Sequence, residues 1–335
     1  MIPVDSTWPA LHRPRCPICE NEASQQFDAR DALMGGDKTF SYAQCTQCKC
    51  LFILQAPENL PDHYSEQYYS FEVLSRQSDV AWIRRLKANR TEAALGSQNP
   101  LGWLLGKIKP AAPMYKTLKK AAISTKSAVL EIGCGAGGLL YDMRRDGFDD
   151  LTGIDPYLPV TLERADAGFA LSRCGIEEFS AGFDRKFELI MMHHTIEHMD
   201  DHKRRLLILR DMLISTGFLW ITTPIVGYAW RKYGINWVGL EAPRHLIVHS
   251  ENSMLCLCRE LGLDIVDYHH NSTEFAFIAS EQNARGIRLR DPNSYIMNPS
   301  QSIFSSAQLA EYRALAHSLN DARDGDSASF LLRPV

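Results

Sequence analysis

The chain has 335 residues, 45% hydrophobic and 23% charged, which is room for a catalytic domain of roughly 150–200 residues plus one or two smaller modules. Its formal net charge of −4 leaves no overall basic surplus to neutralise phosphates, so stable nucleic-acid binding is not expected. No apolar run approaches the roughly 18 residues that a membrane span requires, and the opening segment lacks the apolar stretch of a signal peptide; a cytoplasmic location is expected.

Residues 1–60 carry two cysteine pairs, Cys16-Pro-Ile-Cys19 and Cys45-Thr-Gln-Cys48, separated by 25 residues that read as polar hairpins and loops. Two such knuckles can close a four-thiolate shell around Zn2+, and the metal then stabilises a module too small for a core of its own. Cys50 follows directly and could compete as a ligand; a place in the core beneath the second knuckle fits it better. Residues 61–125 begin with an aromatic-rich stretch containing Tyr68 and Tyr69 and continue with helical periodicity broken at Pro100, Pro110 and Pro113, which predicts a helical cap.

From Ser127 short apolar strands alternate with amphipathic helices, the texture of βαβ units and a doubly wound parallel sheet. Strands are expected at 128–133, 151–155, 187–192, 217–223, 263–268 and 274–280, and helices near 137–146, 158–168, 201–214 and 252–261. The catalytic domain is placed at 126–282 with an inserted lid at 224–250, and residues 283–335 are taken as a C-terminal extension with one helical stretch.

The stretch Gly133-Cys134-Gly135-Ala136-Gly137-Gly138 lies directly after a strand and before a helix, where glycines let the backbone turn tightly and approach a ligand. Dinucleotide enzymes use a related loop in the same place, so the loop alone is a weak signal. Glu131 sharpens it, because an acid on a strand otherwise destined for a buried sheet needs a reason. Asp155 closes the next strand, 20 residues after Gly135, where a carboxylate can accept hydrogen bonds from ribose hydroxyls.

The combination E-x-G-C-G-x-G followed by Gly153-Ile154-Asp155 resembles the class I S-adenosylmethionine methyltransferases. That resemblance implies a Rossmann-like seven-stranded sheet, S-adenosylmethionine as cofactor, and binding by Glu131, Gly133, Cys134, Gly135, Gly137 and Asp155. Pro156 and His193, at the neighbouring strand ends, join that set. Glu177 or Glu178 stands where the family places a polar residue near the adenine amine.

Beyond the fourth strand comes His193-His194-Thr195-Ile196-Glu197-His198, in the crevice where open α/β sheets bind ligands. Methyl transfer demands alignment of the acceptor and removal of its proton, and a histidine titrating near neutrality suits the second task. The stretch resembles the Glu-His segment of methyltransferases acting on small molecules, sugars and quinone precursors. His198 is the first choice of base, followed by Glu197 and His194. In the lid, Tyr228, Trp230, Tyr233 and Trp237 could stack on a sugar or ring, and the Arg244-His245 pair could bind a phosphate or carboxylate. Tyr69, with Tyr68, could close the same pocket.

Over nearly the whole chain, the order of cysteine-rich start, YYSF, EIGCGAGG, HHTIEH and a W…APRH lid resembles bacterial methyltransferases of surface-polysaccharide and deoxysugar pathways. It implies a small-molecule or glycan substrate and O-methylation of a sugar or polysaccharide precursor. Sugar C-methylation is the first alternative, although those relatives carry a longer C-terminal domain. A zinc-ribbon rRNA methyltransferase, an NAD-dependent oxidoreductase and a non-catalytic scaffold of the same fold are the others. No feature sets the oligomeric state, and a homodimer is allowed.

Overall fold

The structure is a computed structural model that describes residues 13–36, 38–64, 80–158, 162–166 and 168–335. Tyr68 and Tyr69 lie outside the described residues.

A four-stranded antiparallel sheet opens the chain, built from β1 (Ala23–Arg30), β2 (Thr39–Cys45), β3 (Leu51–Ile53) and the distant β10 (Ile247–Val248). The fourth strand comes from the lid insertion, so the cysteine module and the lid share one sheet. Helices α1 (Ala81–Leu95), α2 (Pro100–Ile108) and α3 (Met114–Lys120) follow as the cap.

The main sheet then winds both ways from its centre. Its strands are β4 (Val129–Ile132), β5 (Leu151–Ile154), β6 (Leu162–Asp166), β7 (Phe169–Ser172), β8 (Phe187–His193), β9 (Leu213–Pro224), β11 (Leu263–His270) and β12 (Ser327–Pro334), in the spatial order β11-β12-β9-β8-β4-β5-β7-β6. Parallel pairing joins β9, β8, β4, β5 and β7, whereas β12 runs antiparallel between β9 and β11. These seven strands match the expected number, although β7 and β12 stand where no strand was expected; β6 adds an antiparallel edge to the sheet. Helices α4 (Gly138–Arg145), α5 (Ile176–Gly182), α6 (His202–Asp211) and α8 (Glu251–Glu260) connect the strands. The lid contributes the short α7 (Tyr228–Tyr233), and α9 (Phe275–Ala284) and α10 (Ser306–Asp321) lie between β11 and β12.

Alternation along the central strands explains why they read as unbroken apolar runs. Val129, Leu189, Met191, Trp220 and Leu331 face one layer, and Leu130, Ile190, Met192, Leu219 and Phe330 face the other. Both faces are covered, as a parallel sheet requires. The cysteine module packs into the second layer through Ile18 and Phe52, alongside Met254 and Leu257.

Three sequence expectations are corrected. The strand expected at 274–280 is part of α9, and the helix expected at 158–168 is replaced by the β6–β7 hairpin, with Gly168 in the left-handed region at φ 91°. The end of the expected C-terminal extension is a sheet strand, β12, with every residue from Ala328 to Leu332 buried.

Candidate active site

Moving out from the sheet centre, the chain leaves β4 toward β5 on one side, and β8 continues on the other. Ligands bind at the carboxyl ends of strands at such a switch point. A cleft of about 500 Å3 opens there, lined by Gly133, Asp155, Pro156, Tyr157, Glu177, His193, His194 and His198 among others. Gly133 has φ 69°, and a Cβ on it would come within 2.5 Å of the Thr195 side chain. Asp155 is buried and fixed from both sides: Gly135 N donates to its Oδ2 at 2.9 Å and Tyr157 N to its Oδ1 at 2.8 Å. Burial raises its pKa despite these donors.

Glu131 is the residue whose chemistry most needs a ligand. Its Oε2 is buried without a hydrogen-bond partner, and its Oε1 lies 3.9 Å from His193 Nδ1, itself partnerless. Burial, and then the charge of Asp155, push the Glu131 carboxyl up to about 8. Burial and the adjacent His194 hold the His193 imidazole down at about 4, so it offers Glu131 no cation. A buried carboxyl without a countercharge, beside a cleft of this size, fits a cationic ligand. The residues present therefore suit S-adenosylmethionine: Glu131 and Gly133 at its charged end, Asp155 at its ribose and Glu177 further along. Glu177 is drawn toward Arg205, whose Nε is 3.4 Å away. The Cys134 side chain belongs to the core cluster with Leu140 and Met143 and does not line the cleft.

A second cavity of about 470 Å3 adjoins the first, lined by Glu197, Glu241, His245, Asn271, Phe275, Arg290 and Asp326, with apolar walls from Leu33, Val238 and Ile296. Among the described residues, His194 alone lines both. It sits at φ 51°, a conformation that a non-glycine residue adopts only when its surroundings enforce it, and its side chain is 54% exposed toward the cavities. Its Nδ1 stands 3.4 Å from Oε1 of the fully buried Glu197, whose Oε2 accepts a hydrogen bond from Thr223 Oγ1 at 3.0 Å. Burial would raise the Glu197 carboxyl, but His194, with His245 and His198, holds it down at about 2. Burial would correspondingly lower the His194 pKa; the Glu197 carboxylate beside it outweighs burial, and the pKa rises.

His198 is placed differently. Its Nδ1 lies 3.1 Å from the Arg244 carbonyl oxygen and 2.9 Å from the Tyr64 hydroxyl, and burial together with His245 holds its pKa down at about 4. Tyr64 had no signal of its own beyond its position in the aromatic stretch. It lines the cofactor cleft and stacks on Tyr157 with ring centroids 5.0 Å apart.

The lid departs most from expectation. Arg244 is fully buried and cannot reach a substrate: its guanidinium donates to both oxygens of Asp31 at 2.7 and 2.9 Å and to Glu241 at 2.8 Å. Trp230 and Trp237 are buried between the cysteine module and α9, and Trp237 Nε1 donates to Asp326 at 3.2 Å. Tyr233 donates to Glu281 at 3.1 Å and lines neither cavity. His245 does line the second cavity, anchored by its Nδ1 to Gly239 O at 2.9 Å.

In the cysteine module the four predicted sulfurs lie within 4.8 Å of one another. Cys16 and Cys48 are 3.6 Å apart and Cys19 and Cys45 3.4 Å, close to the roughly 3.8 Å edge of a tetrahedral zinc–thiolate shell. The Ile18 amide donates to Cys16, and the Gln47 and Cys48 amides donate to Cys45, each at 3.4 Å, as thiolates require. The set fits a zinc ion. Cys50 is buried 3.4 Å from Cys16, as a fifth sulfur at the cluster's edge.

Residues 108–268, which hold the cleft and most of the sheet, match the family model of a methyltransferase domain. The chain carries a methyltransferase domain. Solved structures similar to this methyltransferase include a coclaurine N-methyltransferase bound to N-methylheliamine and S-adenosylhomocysteine, at 12% identity and TM-score 0.44, with 84% of each chain covered. A cyclopropane synthase from Mycobacterium tuberculosis follows at 14% identity and TM-score 0.42, covering 79% of this chain and 98% of the other. A methyltransferase from Archaeoglobus fulgidus has 17% identity and TM-score 0.37, covering 69% and 98%. Likenesses this loose do not identify the acceptor of the methyltransferase. No match was found among curated proteins.

Proposed function

We propose that the enzyme methylates a hydroxyl of a sugar or another small polar precursor, with His194 as general base and Glu197 orienting it. The observation that carries this reading is the position of His194 between the two cavities, where one imidazole can face both the methyl donor and the acceptor. Bound S-adenosylmethionine supplies the electrophilic methyl group. Glu131, Gly133 and Asp155 hold that cofactor in place. Glu197 keeps the Nδ1 proton of His194 directed toward itself, which leaves Nε2 as the lone-pair nitrogen that takes the acceptor proton. Glu241, Asp326 and Asn271 offer acceptors and donors for the remaining hydroxyls of a polar substrate. His198 takes a supporting role in place of its expected one, because its depressed pKa makes it a poor base at neutral pH.

One contact favours sugar C-methylation as a second reading. The Tyr64 hydroxyl, 2.9 Å from His198 Nδ1, sets a tyrosine–histidine pair on the cofactor side of the cleft that could position a carbon acid. The cysteine cluster would hold one structural zinc and anchor the lid wall of the acceptor cavity. Transfer of labelled methyl onto a panel of nucleotide sugars and lipid-linked glycans tests the proposal. A product labelled on oxygen supports it, a product labelled on carbon supports the second reading, and labelling of RNA alone refutes both.

A further inference from the structure

The cap carries a surface that the methyl-transfer reaction does not use. Helix α2 folds back along α1 so closely that a Cβ on Gly102 would lie 2.0 Å from the Asn89 carbonyl oxygen, and the Asn99 and Asn89 side chains bond at 2.6 Å. Packing consumes the face holding Gly102 and the half-buried Leu105. The opposite face turns Leu101, Trp103, Leu104 and Ile108 to solvent, with Trp103 62% and Ile108 76% exposed; Trp82, at the start of α1, is 64% exposed. Isolated exposed apolar side chains are ordinary, but a whole helix face of them is not.

Charge sets this surface apart again. Residues 81–120 hold nine lysines and arginines against one glutamate, a net of +8 in a chain whose total is −4, so the remainder carries −12. Lys107, Lys109, Lys116 and Lys119 are exposed, and the Lys107 ammonium lies 3.8 Å from the centre of the Trp103 ring. Aliphatic side chains and tryptophan on a helix face flanked by lysines are what an interfacial helix presents to acyl chains and anionic headgroups together. A polynucleotide would use the cations but leave Leu101, Leu104 and Ile108 without a partner, and a second copy of the chain would bring two +8 caps together.

We propose that the outer face of α2, with the start of α1, docks the enzyme on an anionic phospholipid surface, the apolar residues entering the headgroup boundary and the lysines pairing with phosphates. The test is flotation of the full chain with vesicles of phosphatidylcholine containing phosphatidylglycerol, and with phosphatidylcholine alone. Binding to the anionic vesicles is expected, weaker by about tenfold or more on neutral vesicles or at roughly 0.5 M salt. Leu104→Ser with Ile108→Ser, and separately Lys107→Ala with Lys109→Ala, should each weaken it about tenfold, while thermal unfolding and S-adenosylmethionine affinity stay unchanged. Failure to float with anionic vesicles overturns the proposal. So does equal flotation of both variants, displacement of the vesicles by transfer RNA, or a dimer in light scattering that the Leu104/Ile108 variant abolishes.

Discussion

At the scale of single residues, the site depends on two histidines four positions apart, His194 and His198, whose environments differ. Glu197 raises His194, whereas burial depresses His198. His194→Ala should therefore lower kcat by about a hundred- to ten-thousand-fold with cofactor affinity retained, and His198→Ala should cost much less. The neutral imidazole is the active form of the base, so turnover rises as pH passes the elevated His194 pKa. Glu197→Gln removes the charge that elevates it and should move that acidic limb to lower pH; a pH–rate profile with an unmoved limb would exclude the pair. Glu131 gives a second prediction. Its carboxyl, at about 8 without ligand, is largely protonated at pH 7, and a cationic cofactor favours the ionised form. Binding should then release close to one proton, seen as a dependence of calorimetric heat on buffer ionisation that Glu131→Gln abolishes. In the unliganded protein the same raised pKa stabilises the fold below about 4.5 and loses that contribution as pH climbs toward about 8, so Glu131→Gln should flatten stability across that window.

Among the elements, the cysteine module and the lid form one structural unit. Asp31 from the module holds Arg244 from the lid, Tyr42 donates to the His245 carbonyl at 2.9 Å, and β3 pairs with β10. This unit sets Glu241 and His245 in the wall of the second cavity. Arg244→Ala leaves two buried carboxylates without their cation and should destabilise the protein by about 3–5 kcal/mol in guanidinium unfolding, with the acceptor KM raised. Purified protein should contain about one zinc per chain by metal analysis, and a strong chelator or Cys48→Ser should lower the unfolding temperature and acceptor turnover more than cofactor affinity. Full activity without metal would reduce the cluster to packed thiols.

The lid shows why some of this was hidden from the sequence. Arg244 and His245 are adjacent and polar in a long loop, which suggests substrate binding, yet the partner that occupies Arg244 is 213 positions away at Asp31. Tyr64 was equally hidden, because nothing local marks which tyrosine of an aromatic stretch meets a histidine on the sheet. Helix α9 failed for another reason. Ala276 through Ser280 are all buried, so the first half of the helix has no polar face, and its alternating phenylalanines imitate a strand. At 158–168 good helix formers were overridden by pairing at the sheet edge.

For the whole molecule, the parts set by short-range pattern were legible: the βαβ alternation, the glycine loop, Glu131, Asp155 and the two cysteine pairs. Their chemistry depends on spacings of a few residues, and the structure places Gly133, Asp155, Pro156, Glu177 and His193 around one cleft at the sheet's switch point, with Glu131 buried on the adjoining strand. What was illegible depends on long-range assembly, including β12, which returns after 56 intervening residues to lie between β9 and β11. The account rests on that cleft receiving the methyl donor. A crystal structure of the protein soaked with S-adenosylhomocysteine tests it most directly. It should show the nucleoside across the ends of β4 and β5, its ribose hydroxyls on Asp155 and its amino-acid end beside Glu131; a cleft that stays filled by side chains, or a ligand bound elsewhere, would contradict it.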